Sequence, residues 1–278
     1  MKQFYIITNT MKDKNLVVTH EISDYLKKHG CCCYIREEQP HDSRKIPSAV
    51  QCVLVLGGDG TLLRAAREVV DQDVALLGVN LGTLGYLAEL DLKSLYHGLD
   101  LLIADEYKIE QRMMLMGSVY HEDKLISNDI ALNDIVMTRD GIPRAVDYNN
   151  FVNDNFLNSY HADGIIISTP TGSTGYSLSA GGPIISPDAS MLLMTPLAPH
   201  TLNTRSIIFA EKDKITVEFG AGRDGRFERG VATFDGENRA HMVSGDRIEI
   251  QKARKDTRIV KISDRSFLEV LRKKMANT

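Results

Sequence analysis

Four stretches of the chain carry residue types and spacings that could bind a ligand or do chemistry, and the first is suited to phosphates. In Leu54-Val55-Leu56-Gly57-Gly58-Asp59-Gly60-Thr61-Leu62-Leu63 an apolar run ends in glycines around one carboxylate, and a helical pattern follows. Glycines in such a turn let backbone N–H groups come close to a ligand, and the N-terminus of the next helix favours an anion. Gly57, Gly58, Gly60 and Thr61 are therefore candidate phosphate contacts. The turn matches neither the Walker A pattern G-x-x-x-x-G-K-[ST] nor the dinucleotide fingerprint G-x-G-x-x-G. Asp59 is the odd member, because a carboxylate among phosphates repels them unless a metal ion or a proton transfer gives it a purpose. The plainer alternative is a strand-to-helix turn with Asp59 as its N-cap.

Asn80-Leu81-Gly82-Thr83-Leu84-Gly85-Tyr86-Leu87 is a second glycine-rich segment leaving an apolar run. Two such segments leaving strands of one sheet are better explained by a shared ligand than by two unrelated connectors. Within Ser127 to Val136, Asn133-Asp134 interrupts an otherwise apolar strand, where an amide and a carboxylate can bond a base edge and sugar hydroxyls; a polar pair at a turn or sheet edge is the alternative. The fourth stretch runs from His161 to Pro183. Asp163-Gly164 opens a short buried strand, Pro170 ends it, and Thr171-Gly172-Ser173-Thr174-Gly175 leads into a helix carrying Tyr176 and Ser179 on one face. Such a loop offers many donors and little bulk, and Tyr176 adds a ring on which a flat base can stack.

The elements around these stretches follow from periodicity. Phe4–Thr8, Cys31–Ile35, Val50–Leu56 and Val74–Asn80 read as strands, with helices over Leu16 to Gly30, Leu62 to Val70 and Leu92 to Ile103. Strands alternating with helices imply a Rossmann-like parallel sheet, whose ligands lie beyond the carboxyl ends of the strands. After Ala104-Asp105-Glu106 the pattern changes to strands, including Met113–Tyr120 and Lys124–Thr138, with turns at Gly141-Ile142-Pro143 and Asn149-Asn150. An α/β N-terminal domain over 1–105, joined by 255–278, and a β-rich C-terminal domain over 106–254 are expected.

With 278 residues and 43% hydrophobic content the chain can bury two cores, and a net charge of −4 argues against a nucleic-acid partner. No secretory leader pattern and no run of about 18 apolar residues is seen, so a cytoplasmic protein without a membrane partner is expected. Cys31, Cys32 and Cys33 are consecutive, so on a strand they cannot converge as a C-x-x-C pair does, and with Cys52 they read as strand residues of a reducing compartment.

Taken together, Gly57-Gly58-Asp59-Gly60-Thr61, Asn80 to Gly85, Asn133-Asp134, Asp163 to Pro183, Thr195 to Arg205, Thr233-Phe234-Asp235-Gly236 and Ser266 to Arg272 resemble the bacterial NAD kinases over nearly the whole chain. The first motif alone is shared with lipid kinases and phosphofructokinases; the combination in this order is specific. The resemblance implies transfer of the γ-phosphate of ATP to the 2′-hydroxyl of the adenosine ribose of NAD, giving NADP, with a divalent cation such as Mg2+. It also implies a last helix that returns to the first domain and a homodimer or homotetramer. By position it makes Asp59 the catalytic group and Asp59, Gly60, Asn133, Asp134, Asp163, Thr171, Thr174, Gly175, Tyr176 and Ser179 NAD contacts. Gly57, Gly58, Gly60, Thr61, Arg64 and Asp235 become the ATP and phosphate contacts. One departure is Asp134, where many members carry Glu, a reach longer by one methylene. The rivals are a lipid or sugar kinase sharing the glycine turn and a catalytically silent NAD(P)-binding sensor.

Overall fold

The computed structural model describes residues 1–38, 45–82, 85–141, 145–201, 204–222, 225–263 and 265–276. Thr83 and Leu84 of the second glycine segment, Ile142 and Pro143 of an expected turn, and Leu202 and Asn203 lie outside the described residues. Two units emerge, Met1–Gln111 with Thr257–Thr278, and Arg112–Asp256.

The first unit runs β1 (Gln3–Thr8), α1 (Val17–Lys28), β2 (Cys32–Ile35), β3 (Cys52–Gly57), α2 (Asp59–Val69), β4 (Ala75–Asn80), β5 (Leu90–Asp91), α3 (Leu95–Ile103) and β6 (Lys108–Arg112). The second contributes β7 (Leu115–His121), β8 (Lys124–Ala131), β9 (Asp134–Arg139), β10 (Val146–Val152), β11 (Asn155–Ala162), β12 (Gly164–Ser168), α4 (Tyr176–Ser179), β13 (Met191–Leu197), β14 (Ile207–Ala210), β15 (Ile215–Phe219), β16 (Arg229–Phe234), β17 (Asn238–Val243) and β18 (Arg247–Lys252). The chain then returns to the first unit as β19 (Thr257–Lys261) and α5 (Phe267–Ala276).

In the first unit the strand order is β2-β1-β3-β4-β19-β6, with β5 also paired to β4. The pairs among β1 to β5, and that of β19 with β4, are parallel. Every residue of β3 and β4 is buried, as expected of central strands covered on both faces. Ile22 and Leu26 of α1 and Leu95, Leu99 and Leu102 of α3, spaced at three and four residues, are buried in the same core as Phe4, Leu54 and Leu77. Glu89 fixes the returning segment: its buried carboxylate pairs with Lys261 and accepts the Ile262 N–H at 3.0 Å and the Ser263 N–H at 2.6 Å. Lys274 of α5 lies over the Tyr86 ring, 5.3 Å from its centroid.

The division falls after Gln111 rather than after Asp105. Between the expected boundary and the first expected strand, Met113–Tyr120, lies β6, an edge strand of the first sheet beside β19.

The second unit is built on two six-stranded sheets, β11-β10-β15-β18-β7-β8 and β14-β13-β12-β9-β16-β17. Their inner faces share one core, with Tyr148, Ile215 and Ile250 from the first and Ile135, Ile165 and Ile167 from the second. The expected single strand over Lys124–Thr138 is two strands, β8 and β9, one in each sheet, broken at Leu132 and Asn133. The outer face of β9, β12 and β13 presents Val136, Ile166 and Leu197, against which Ala180 packs just after α4. That contact seats the Thr171 to Ala180 segment. Among the described residues no helix is long and apolar enough to cross a membrane.

Candidate functional site

In the first unit the site begins where β3 and β4 end. Gly58, with extended backbone, is the N-cap of α2, and no side chain caps the helix. Asp59 is the first helical residue, so the plain capping role weighed for it does not hold. Its carboxylate reaches 27 residues along the chain instead, where Oδ2 accepts the Tyr86 N–H at 2.8 Å. Oδ1 accepts the Leu87 N–H at 3.2 Å. A Cβ on Gly85 would lie 2.0 Å from Asp59 Oδ1, so only glycine lets the second segment close on this carboxylate.

The two glycine segments are also tied by the Leu81 N–H, which donates to the Gly57 carbonyl at 3.0 Å. Asn80 turns the second segment, accepting the Gly82 N–H and donating its amide to the Gly82 carbonyl, both at 3.0 Å. Thr61 is buried, and the Asn9 amide donates to its hydroxyl at 3.4 Å. Beyond β1 a cavity of about 310 Å³ is lined by Asn9, Thr10, Arg36, Glu37, Thr61 and Arg64, among others. Burial and the nearby Asp59 carboxylate raise the Tyr86 phenol above its ordinary value.

In the second unit Asp235 does for Asn133 what Asp59 does for Tyr86. At φ 50° it turns back, Oδ2 accepting the Leu132 N–H at 2.9 Å and Oδ1 the Asn133 N–H at 2.7 Å. This carboxylate breaks the strand and presents Asn133 and Asp134. Thr169 braces the same bend, donating its hydroxyl to the Leu132 carbonyl at 2.6 Å and its N–H to the Asn133 carbonyl at 2.9 Å. The Thr171–Thr174 segment is a 3-10 turn pressed against it, since a Cβ on Gly172 would fall 2.0 Å from the Asn133 carbonyl oxygen. A Cβ on Gly175 would lie 3.4 Å from the Asn133 amide nitrogen and 3.7 Å from Asp134 Oδ2. Asn133, Asp134, Thr171 and Gly175 are thus brought together. Asp134 is 6% exposed, and burial, reinforced by the Asp235 charge, pushes its carboxyl up to about 7.

Asp163, Tyr176 and Ser179 share a second cavity, of about 420 Å³, with Thr138, Arg139, Gly141, Ala180, Leu197 and Ala198. Tyr176 is 50% exposed there, on a helix of a single turn. The expected helix is short because Ser177, buried and bonded to Thr195 at 3.1 Å, anchors its centre before the chain turns at Gly181. Thr174 is spent inside the loop, donating to the Thr171 carbonyl at 3.3 Å. Arg139, held by Glu228 at 2.5 Å, went unnoticed in the sequence, because its pairing is long-range and its strand looks like any other.

The chemistry of the donor set does not suit a protein-built metal cage. Among the described residues no three His, Cys, Asp or Glu side chains converge on a point, and the Asp59 and Asp235 carboxylates already accept backbone N–H groups. The four cysteines are free thiols, and burial pushes Cys33 up to about 11 and Cys52 up to about 12.

Comparison with known proteins agrees with this architecture. Residues 4–107 match the family model of the ATP-NAD kinase N-terminal domain, and residues 132–262 that of the ATP-NAD kinase C-terminal domain. An NAD kinase of Lachnospira eligens is 46% identical over 99% of this chain and 100% of its own length. One of Agathobacter rectalis is 43% identical over 100% of this chain and 99% of its own. Among solved structures, a yeast NADH kinase complexed with NADH superposes with TM-score 0.82 at 24% identity, covering 99% of this chain and 88% of that one. An NAD kinase from Archaeoglobus fulgidus in complex with ATP gives 0.80 at 21%, covering 99% of each chain; at these identities the two structures speak for the fold. On the strength of the two family matches and the full-length relatives, the chain belongs to the ATP-NAD kinase family.

Proposed function

We propose that the chain transfers the γ-phosphoryl group of ATP to the 2′-hydroxyl of the adenosine ribose of NAD, producing NADP and ADP. The observation that carries this reading is the single carboxylate of Asp59 at the junction of two glycine segments, both leaving carboxyl ends of parallel strands. That is where open α/β sheets bind nucleotides. Phosphoryl transfer has a loose transition state in which positioning and charge neutralisation dominate, so a carboxylate can orient the hydroxyl and take its proton late. Asp59 has that role here, with Gly57, Gly58, Gly60, Thr61 and Arg64 toward the phosphates. Asn133 and Asp134 bond base and ribose, while Asp163, Tyr176 and Ser179 hold a flat ring. The divalent cation arrives on the ATP phosphates, since Mg2+ commonly takes substrate oxygens and water rather than a protein cage.

Free thiols support a reducing, cytosolic setting. Exposed Leu125 and Ile126 on edge strand β8, with Phe156 on edge strand β11, support a homodimer or homotetramer. The test is direct: purified protein with Mg-ATP and NAD must form NADP and ADP in equal amounts. NAD binding without NADP would leave the silent sensor, and phosphorylation of a lipid or sugar in place of NAD would establish the rival kinase.

A further inference from the structure

Near the first glycine turn the sequence offers cations only on α2, at Arg64 and Arg67. The fold adds one from the loop after β1. A Cβ built on Gly58 would lie 3.0 Å from Lys12 Nζ, and one built on Gly82 3.4 Å from it, so this ammonium stands against both glycine segments at once. Its base is fixed: the Lys12 N–H donates to the Asn9 carbonyl at 2.9 Å. Next to it buried Asp13 accepts the Val18 N–H at 3.1 Å and the Thr19 N–H at 2.9 Å. Among the described residues no carboxylate pairs with the Lys12 ammonium, and the side chain is exposed. The neighbouring residues Asn9, Thr10 and Met11 line the cavity that also holds Thr61 and Arg64.

An unpaired ammonium costs little in water, but one held against two glycine turns meets whatever anion those turns receive. Lysine is a compact point charge with three donors, suited to a phosphate oxygen. We propose that Lys12 contacts the terminal phosphates of the triphosphate donor and neutralises them during transfer. This inference rests on the function proposed above. In the step the bond from the γ-phosphorus to the bridging β,γ-oxygen breaks and a bond from the ribose 2′-oxygen to that phosphorus forms. The hydroxyl proton passes to Asp59, and ADP leaves with the electron pair of the broken bond. Lys12 enters and leaves the step with its own protons. Its charge answers the negative charge that grows on the β,γ-oxygen as the bond opens.

The test is calorimetric titration of Mg-ATP, and separately of NAD, into the full chain as wild type, Lys12→Met and Lys12→Arg. Lys12→Met keeps the aliphatic stem and removes the charge. It is expected to raise the Kd for Mg-ATP at least about tenfold, with recovery to within about threefold in Lys12→Arg and little change for NAD. Turnover of Lys12→Met at saturating substrates should fall about 100-fold. A Mg-ATP Kd in Lys12→Met within about twofold of wild type overturns the inference. Equal losses of Mg-ATP and NAD affinity also overturn it, because they mark a folding defect rather than a phosphate contact. A wild type that binds Mg-ATP and makes no NADP sinks the proposed function, and the Kd comparison still decides Lys12.

Discussion

The carboxylate of Asp59 and the backbone of Tyr86 are bonded at 2.8 Å, and Leu87 adds a second N–H at 3.2 Å. The proposed proton acceptor is therefore also the clasp that holds the second glycine segment. Asp59→Asn keeps one acceptor oxygen but turns an NH2 group toward an N–H. We expect turnover to fall about 100-fold to 10,000-fold, with a loss of about 1 to 3 kcal/mol from the unmade bond. Wild-type turnover with a lowered thermal midpoint would leave Asp59 a clasp alone.

Tyr176 separates binding from stability. Being 50% exposed on a single helical turn, it contributes little to the core. Tyr176→Ala should keep the thermal midpoint and weaken NAD by about 1 kcal/mol, several-fold in Kd. Fluorescence titration of NAD checks this, and an unchanged Kd would remove the stacking role.

Asp134 predicts a pH dependence. Its carboxyl is pushed up to about 7 by burial, well above its value in an unfolded chain. The folded state then binds the extra proton, so this contribution to stability is fully present below about pH 4 and is lost as pH rises through about 7. Asp134→Asn removes the dependence. At pH 8 the variant should be more stable than wild type, on the order of 4 kcal/mol, and near pH 4 equal to it. Thermal midpoints across that range are the measurement, and parallel curves for the two proteins would refute the assignment.

Gly172→Ala forces a Cβ to 2.0 Å from the Asn133 carbonyl oxygen, a backbone atom that cannot swing aside. Overpacking of this kind costs about 1 to 3 kcal/mol. The 3-10 turn would lift off the Asn133 bend, and NAD affinity should drop even at temperatures where the protein stays folded. Retained affinity in the folded variant would mean that the turn need not touch Asn133 for binding.

Paired exposed apolar residues on edge strand β8 give the last expectation. For the proposed homo-oligomer, Leu125→Asp combined with Ile126→Asp should reduce the mass seen by light scattering to that of one chain. A mass unchanged by the substitutions would exclude this edge as the proposed interface.

How much was legible follows the range of each interaction. The parallel sheet and the first glycine turn could be read because an all-apolar β3 and its glycines are local in sequence. What Asp59 bonds could not, since its partners lie 27 and 28 residues on. The break at Leu132 and Asn133 has its cause in Asp235, 103 and 102 residues away, so Lys124–Thr138 read as one strand. β6 is not legible as a strand of the first sheet because its neighbour, β19, comes from the other end of the chain. Lys12 carried no signal, since a lysine in a loop looks solvated until the fold sets glycines on either side of it.

The position of β19 between β4 and β6 has a consequence for the growing chain. On the ribosome, Met1–Gln111 is made first, then all of Arg112–Asp256, and only then the strand that completes the first sheet. At roughly 5 to 20 residues per second that interval is roughly 7 to 30 seconds. Meanwhile Ala75 and Leu76 of β4 lack their β19 partners, and Glu89 lacks Lys261. The β-rich unit, contiguous in sequence, can therefore mature while the α/β unit waits, and a message truncated before Thr257 yields an open strand edge that invites aggregation.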